Sequence, residues 1–595
     1  MDHGKIVRIG GASGFWGDSM VAAPQLVRSG QIDYLVFDFL AETTMAILAG
    51  ARAKAPELGY ATDFVDVAMK SVLADVAERG IKVISNAGGI NPRACAAALA
   101  ALAHEAGVSL RIAVVEGDDV AAQLPALRAA GRRDLFSGDA LPERVLSANA
   151  YLGALPIVRA LAAGADVVIT GRCVDSAVTL APLIHEFGWN VDDYDRLAAG
   201  SLAGHIIECG CQATGGLHTD WEAVPDWPSI GYPIVECAAD GSFVVTKPRG
   251  TGGLIARAAV AEQLVYEIGD PGAYVLPDVT CDLRDVRIEQ IDPERVRVTG
   301  ARGLPPPATY KVSATAMDGW RCAGSLVVIG IDAAAKARRT GEAILARVRA
   351  IFATLGIPDF RATHIEMLGS EAMYGAHARS TSREVMLRVV ADHARRDALE
   401  LFAREIAPAV TSWAPGSTSP AGGRPSVSPV IRQFAFALEK NAVVATFEFD
   451  GQRHGVEIPV GGGSGVPQAL AGEPPPFEDT GEAMVDVPLV KLAWARSGDK
   501  GDLSNIGVIA RQKEWMPLIW REVTPEKVRA YFAHLVRGDV ERWYLPGIDA
   551  MNLVLHGALD GGGPASHRMA PLGKAMAQML LDLPVAVPRS LAQML

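Results

Sequence analysis

The chain has 595 residues, of which 49% are apolar, 21% charged and 6% aromatic, an ordinary globular composition long enough for roughly two or three domains. Its formal net charge of −12 argues against nucleic acid or an anionic membrane as the main partner. No apolar run approaches the ~18 residues that span a bilayer, and the N-terminus MDHGKIVRIGG lacks a secretory pattern. Seven cysteines then fit reduced thiols in the cytoplasm.

From Lys5 to Phe187, short β-branched runs alternate with helical periodicity, as the βαβ units of a parallel sheet do. Strands are expected over 6–9, 34–39, 82–85, 111–115 and 166–170, and helices over 20–29, 64–79, 92–106 and 151–163. After Gly188 the period loosens. Residues 202–253, rich in Gly, Cys, His, Pro and Trp, read as ordered loops around a site. Alternation from Val286 to Ile331 predicts an antiparallel region, followed by a helix over 333–355. The Gly/Pro-rich stretch 461–485 reads as a linker between a domain over 1–460 and a smaller one over 486–595. In the latter, strands over 487–495, 505–510, 540–545 and 551–556 with helices near 524–535 and 574–581 suggest a small α+β sandwich.

Candidate chemistry gathers at strand exits. Gly11, Ser13, Gly14 and Gly17 follow the first strand, while Asp38 and Glu42 follow the second. Such a turn reads as a dinucleotide fingerprint, a structural tight turn, or a cradle for phosphate or coenzyme A. No Tyr-x-x-x-Lys pair occurs to support short-chain dehydrogenase chemistry. Asn86, Gly88 and Gly89 follow the third strand, and Arg172, Cys173 and Asp175 follow the strand over 166–170. One carboxyl-edge crevice would then hold carboxylates for proton transfer and a cation for an anionic group, unless Arg172 and Asp175 simply pair at a helix start.

His205 and His218 are candidates for general acid/base work or for satisfied core positions. Cys209 and Cys211 lack the spacing of a zinc site, so no metal is expected. Lys247 and Arg249 lie on a glycine-rich loop suited to phosphate, or on a solvated turn. Asp499, Lys500, Asp502 and Asn505 form either a site or an Asx-stabilised hairpin loop.

The blocks RIGGASGFWGDS, YLVFDFLAETTMAILA, NAGGINP, VITGRCVDSA, CGCQATGG, KPRGTGG and ARSGDKGDLSNIGVIAR run through nearly the whole chain. Together they resemble the acyclic terpene utilisation (AtuA) family. The resemblance implies a large N-terminal α/β domain with a mostly parallel sheet and an added antiparallel region, plus a ferredoxin-like C-terminal α+β domain. It also implies bacterial catabolism of citronellol and geraniol, in which branched acids are processed as coenzyme A thioesters.

The function expected is a cytoplasmic, homo-oligomeric enzyme acting on an acyl-CoA or branched carboxylate by hydration/dehydration or another proton transfer. Coenzyme A would enter only as part of the substrate. Asp38, Glu42, Asn86, Cys173, Asp175 and His218 are the catalytic candidates. Gly11, Ser13, Gly14, Gly88, Gly89, Arg172, Lys247, Arg249, Asp499 and Lys500 are the binding candidates. The alternatives are a nicotinamide-dependent oxidoreductase using Gly11, Gly14, Gly17 and Asp38, or a non-catalytic subunit of a catabolic complex.

Overall fold

The structure is a computed structural model that describes residues 4–29, 31–379, 382–418, 423–462, 472–479 and 481–595. Much of the expected linker, residues 463–471 and 480, lies outside the described residues.

The apolar runs YLVF and VVIT are buried at every position, as strands covered on both faces must be. They sit in the middle of an eleven-stranded mixed sheet. Its parallel centre runs in the order Ile6–Gly11, Tyr34–Phe37, Lys82–Ser85, Val167–Thr170, Ile112–Glu116. Antiparallel strands extend both edges. Ile234–Ala238 joins beside Ile6–Gly11, followed by Phe243–Thr246 and the pair Arg295–Thr299 and Arg287–Asp292. Thr446–Phe449 and Gln452–Gly455 close the other side.

Residues 202–253 are therefore more regular than their composition suggests, since they contribute a hairpin to the main sheet. Three helices, Glu42–Lys54, Ala177–Phe187 and Tyr194–Ile207, also escape the periodicity. The last two are buried on nearly every side, so no polar face alternates with an apolar one.

A second sheet is built on the 21-residue strand Thr309–Ile329, which pairs along its length with Val427–Glu439 and Glu384–His393. Ser147–Ala150 adds to it, which ties the second sheet to the βαβ region. The helix Ala333–Leu355 packs there through Ala337, Ile344, Val348 and Phe352.

The smaller C-terminal domain has a four-stranded antiparallel sheet in the order Ala493–Lys500, Leu503–Ala510, Ala550–Leu555, Val540–Leu545. Strand alternation divides its faces. Ile506, Val508, Met551 and Leu553 fill its own core, whereas Ile509 and Ala550 join the core of the large region. Among the described residues no helix is long and apolar enough to cross a membrane.

Candidate functional site

The carboxyl ends of parallel strands leave a crevice where strand order reverses. Here the crevice is a cavity of about 800 Å³, lined by Gly14, Asp38, Glu42, Tyr151, Arg172, Asp175 and Glu208. Asp499, Lys500 and Lys574 of the C-terminal domain close it beside Tyr266 and Glu267.

On the large-domain wall, Asp38 Oδ1 accepts the Asn86 amide at 2.5 Å, and Asn86 Oδ1 accepts the Phe39 N–H at 2.8 Å. Asn86 is completely buried and braces Asp38 from behind. Burial, reinforced by Asp175 and opposed by Arg172, pushes the Asp38 carboxyl well above the usual range.

Glu42 behaves oppositely. Burial would raise it, but Lys311 and Arg172 hold it below the ordinary carboxylate range, helped by the Tyr151 hydroxyl, which donates to Oε1 at 2.6 Å. Lys311 Nζ approaches the same oxygen at 3.4 Å. The Arg172 guanidinium stacks 4.1 Å over the Tyr151 ring and donates to Asp175 at 2.6 Å, while its buried Nε has no partner. Two carboxyls in one cavity are thus driven to opposite protonation states.

The opposite wall adds a third. Burial, with Glu267 and Glu42 acting against Lys574 and Lys500, pushes Asp499 up to about 7. Lys574 Nζ donates to the Tyr266 hydroxyl and lies 4.8 Å from that ring's centroid. Burial and the neighbouring Glu267 carboxylate raise Tyr266, which keeps it a neutral hydroxyl. Glu267 has φ 56°, a left-handed conformation rare for a glutamate. Deeper in, burial lifts Glu208 even though His205 Nδ1 stands 3.0 Å from Oε1.

A family model for the acyclic terpene utilisation family protein AtuA matches residues 7–449, and one for the AtuA ferredoxin-like domain matches residues 487–586. The chain belongs to the acyclic terpene utilisation family. No curated protein and no solved structure matches it. Both matched parts of this AtuA chain contribute side chains to the one cavity.

Of the residues singled out in the sequence, Gly14, Asp38, Glu42, Arg172, Asp175, Cys209, Cys211, Asp499 and Lys500 line that cavity. Others lie outside it. Ser13 Oγ donates to the Asp38 carbonyl at 3.0 Å within the turn. The glycines serve close packing: a Cβ at Gly11 would fall 2.7 Å from the Ile207 carbonyl oxygen, and one at Gly14 would fall 2.8 Å from the Cys209 carbonyl carbon. At Gly88 it would meet the Thr170 carbonyl at 2.5 Å, and at Gly89 the Leu48 side chain. Backbone of the segment after Tyr194–Ile207 thus occupies the glycine faces that a pyrophosphate would need in a dinucleotide site.

Cys173 is buried against Thr170, and burial pushes its thiol up to about 12, away from nucleophilic use. His218 Nδ1 lies 2.7 Å from Glu262, which also accepts from Thr219 and faces Arg496, so His218 belongs to a sealed contact between the domains. Lys247 and Arg249 line a different depression of about 560 Å³, where Lys247 donates to Glu294 at 2.9 Å. Among the described residues no three His, Cys, Asp or Glu side chains are grouped to hold a metal ion.

Sequence reasoning missed Tyr151, Glu208, Tyr266, Glu267, Lys311 and Lys574. Lys311 lies within a long strand and Tyr151 just past a short one, and no local motif marks Tyr266, Glu267 or Lys574.

Proposed function

We propose that this AtuA-family chain is a lyase-type enzyme that moves protons on a branched acyl thioester, adding or removing water in the breakdown of acyclic terpenes or related branched acids. The observation that carries this reading is the contrast between Asp499, poised at about 7, and Asp38, held well above the carboxylate range, in one cavity. A base works best when its pKa lies near the working pH, and an acid must carry its proton at that pH.

In dehydration, the Asp499 carboxylate takes the proton from the carbon next to the thioester carbonyl. Negative charge then develops on the carbonyl oxygen. The Lys574 ammonium and the Tyr266 hydroxyl meet that charge as preorganised donors in a partly water-excluded site. Protonated Asp38 gives its proton to the departing hydroxyl, which leaves as water, and Asn86 holds Asp38 in place. Glu42, tied to Tyr151 and Lys311, stays ionised and fixes the Arg172 side of the cavity.

The test is incubation of the purified chain with branched 2-enoyl and 3-hydroxyacyl thioesters in deuterated water, followed by mass spectrometry. Gain or loss of one water with deuterium at the α-carbon is expected. Intact substrates without exchange would remove the proposal.

A further inference from the structure

Exposure divides the residues around the cavity into a base and a mouth. Asp38 and Arg172 are buried at its base, whereas Phe15, Leu217 and Leu572, which line the same space, are 57%, 64% and 40% exposed. Large apolar side chains scattered singly over a surface are ordinary, but three from separate segments around one opening form an apolar mouth above a charged base.

Leu217 also carries a backbone signature. Its φ is 60°, and among the described residues, glycines aside, it is the only apolar one with a positive φ; the other seven are aspartates and glutamates. A leucine gains no local hydrogen bond from that conformation, unlike an aspartate, so its surroundings must impose it. Both neighbours are tied down. The Gly216 carbonyl accepts Arg496 Nη2 at 3.0 Å, and His218 Nδ1 lies 2.7 Å from buried Glu262. Strained backbone therefore holds an exposed leucine at the cavity.

The other two stand on pinned turns as well. Asp18 accepts the Gly14 N–H at 2.9 Å and the Tyr232 hydroxyl at 2.7 Å, and its own N–H donates to the Phe15 carbonyl at 3.2 Å. Next to Leu572, the Gly573 carbonyl accepts the Ser497 hydroxyl at 2.7 Å. Residues 209–211 join the turns of Phe15 and Leu217: a Cβ on Gly14 would fall 2.8 Å from Cys209 backbone, and one on Gly216 would fall 2.7 Å from the Cys211 carbonyl oxygen. Leu572 is the contribution of the C-terminal domain, two residues before Lys574, which lines the cavity too.

We propose that Phe15, Leu217 and Leu572 form a clamp for the hydrocarbon chain of the acyl group and set the chain length that the site accepts. This rests on the thioester reading above and names the part of the substrate that selects it. A hydrocarbon chain suits side chains that offer no hydrogen bond, whereas the amides of a pantetheine arm would lose water there without replacement.

The test is calorimetric titration of the full chain with N-acetylcysteamine thioesters of saturated, methyl-branched acids of increasing length. The same series is run on Phe15→Ala and Leu217→Gly. Phe15 is exposed and glycine takes a positive φ without strain, so thermal melts should show both variants folded. Wild-type affinity should rise about three- to fourfold per added methylene, as burial of each CH₂ predicts, and each variant should flatten that rise. An unchanged rise in both variants, wild-type affinity indifferent to length, or no binding at any length would overturn the proposal. Length-dependent binding that the variants weaken, without deuterium exchange at the α-carbon, keeps the clamp and removes the proposed reaction. Exchange indifferent to chain length and to both variants does the reverse.

Discussion

The side-chain oxygen of Asn505 accepts the backbone N–H of Glu267 at 2.9 Å, across the boundary between the ferredoxin-like domain and the large one. The same amide donates to the Val265 carbonyl at 2.6 Å and to Asn552 Oδ1 at 3.0 Å, and Asn552 in turn donates to the carbonyls of Ile268 and Gly269. Two buried amides on adjacent strands therefore grip the backbone that presents Tyr266 and Glu267 to the cavity. They also hold Glu267 in a left-handed conformation costing ~1–2 kcal/mol for a residue with a Cβ. The ferredoxin-like domain acts as the template for one cavity wall.

Removing either amide leaves buried backbone groups without partners, at ~1–3 kcal/mol each. Asn505→Ala and Asn552→Ala should each lose about 2–4 kcal/mol in urea denaturation, because each cuts more than one bond. The double variant should lose less than the sum, since the residues bond each other. Additive losses would show that the two do not work as one latch.

Gly498 and Gly507 complete the template. A Cβ on Gly507 would collide with the Val265 side chain, while one on Gly498 would come within 2.5 Å of Glu267 Cγ. Gly507→Ala should cost ~1–3 kcal/mol by overpacking. Gly498→Ala should cost a similar amount in thermal melts, because its Cβ would also meet Tyr266 Cε2 at 2.7 Å, and should disturb the site. Equal melting temperatures for Gly507→Ala and wild type would refute the close fit.

Asp499 gives a pH signature. Its folded pKa of about 7 lies above the unfolded value near ~4, so the native state binds more protons between these limits. Stability from this group is greatest at or below pH ~4 and falls as pH rises to about 7. Asp499→Asn should flatten that part of the profile and gain roughly 1 kcal/mol at pH 8, measured by urea titration.

His567 gives a signature of the same sign at higher pH. Asp392 and Asp560 raise it to about 9, and Arg321 ties the same Asp392 to the carbonyls of Pro564, Ala565 and Ser566. A histidine raised from ~6.5 stabilises the fold fully below that pH and loses the contribution as pH climbs through about 9. His567→Gln should remove ~1–3 kcal/mol at pH 6 and little at pH 10.

The parallel centre of the main sheet and the helix Ala333–Leu355 were legible because each carries its own period or unbroken apolar run. Helix Tyr194–Ile207 was not, since burial on all sides erases the period. The glycine-rich turn shows a different limit. Gly11 and Gly14 signal close approach, and the sequence does not say that the approaching group is the backbone near Ile207 and Cys209.

The block ARSGDKGDLSN was legible as a dense cluster of polar and charged residues, although Arg496, Gly498 and Asn505 serve the domain contact while Asp499 and Lys500 face the cavity. Such a division exists only after folding. Tyr266, Glu267 and Lys574 come together from segments about 300 residues apart, beyond the reach of any local motif.

The most direct measurement is the pH dependence of deuterium uptake at the α-carbon of a branched acyl thioester, for wild type and Asp499→Asn. Exchange should rise with pH through an inflection near 7 in wild type, as the Asp499 carboxylate forms. It should drop by ~10²–10⁴ and lose that inflection in Asp499→Asn. Equal exchange in the two proteins, or a wild-type profile without the inflection, would contradict proton transfer by Asp499.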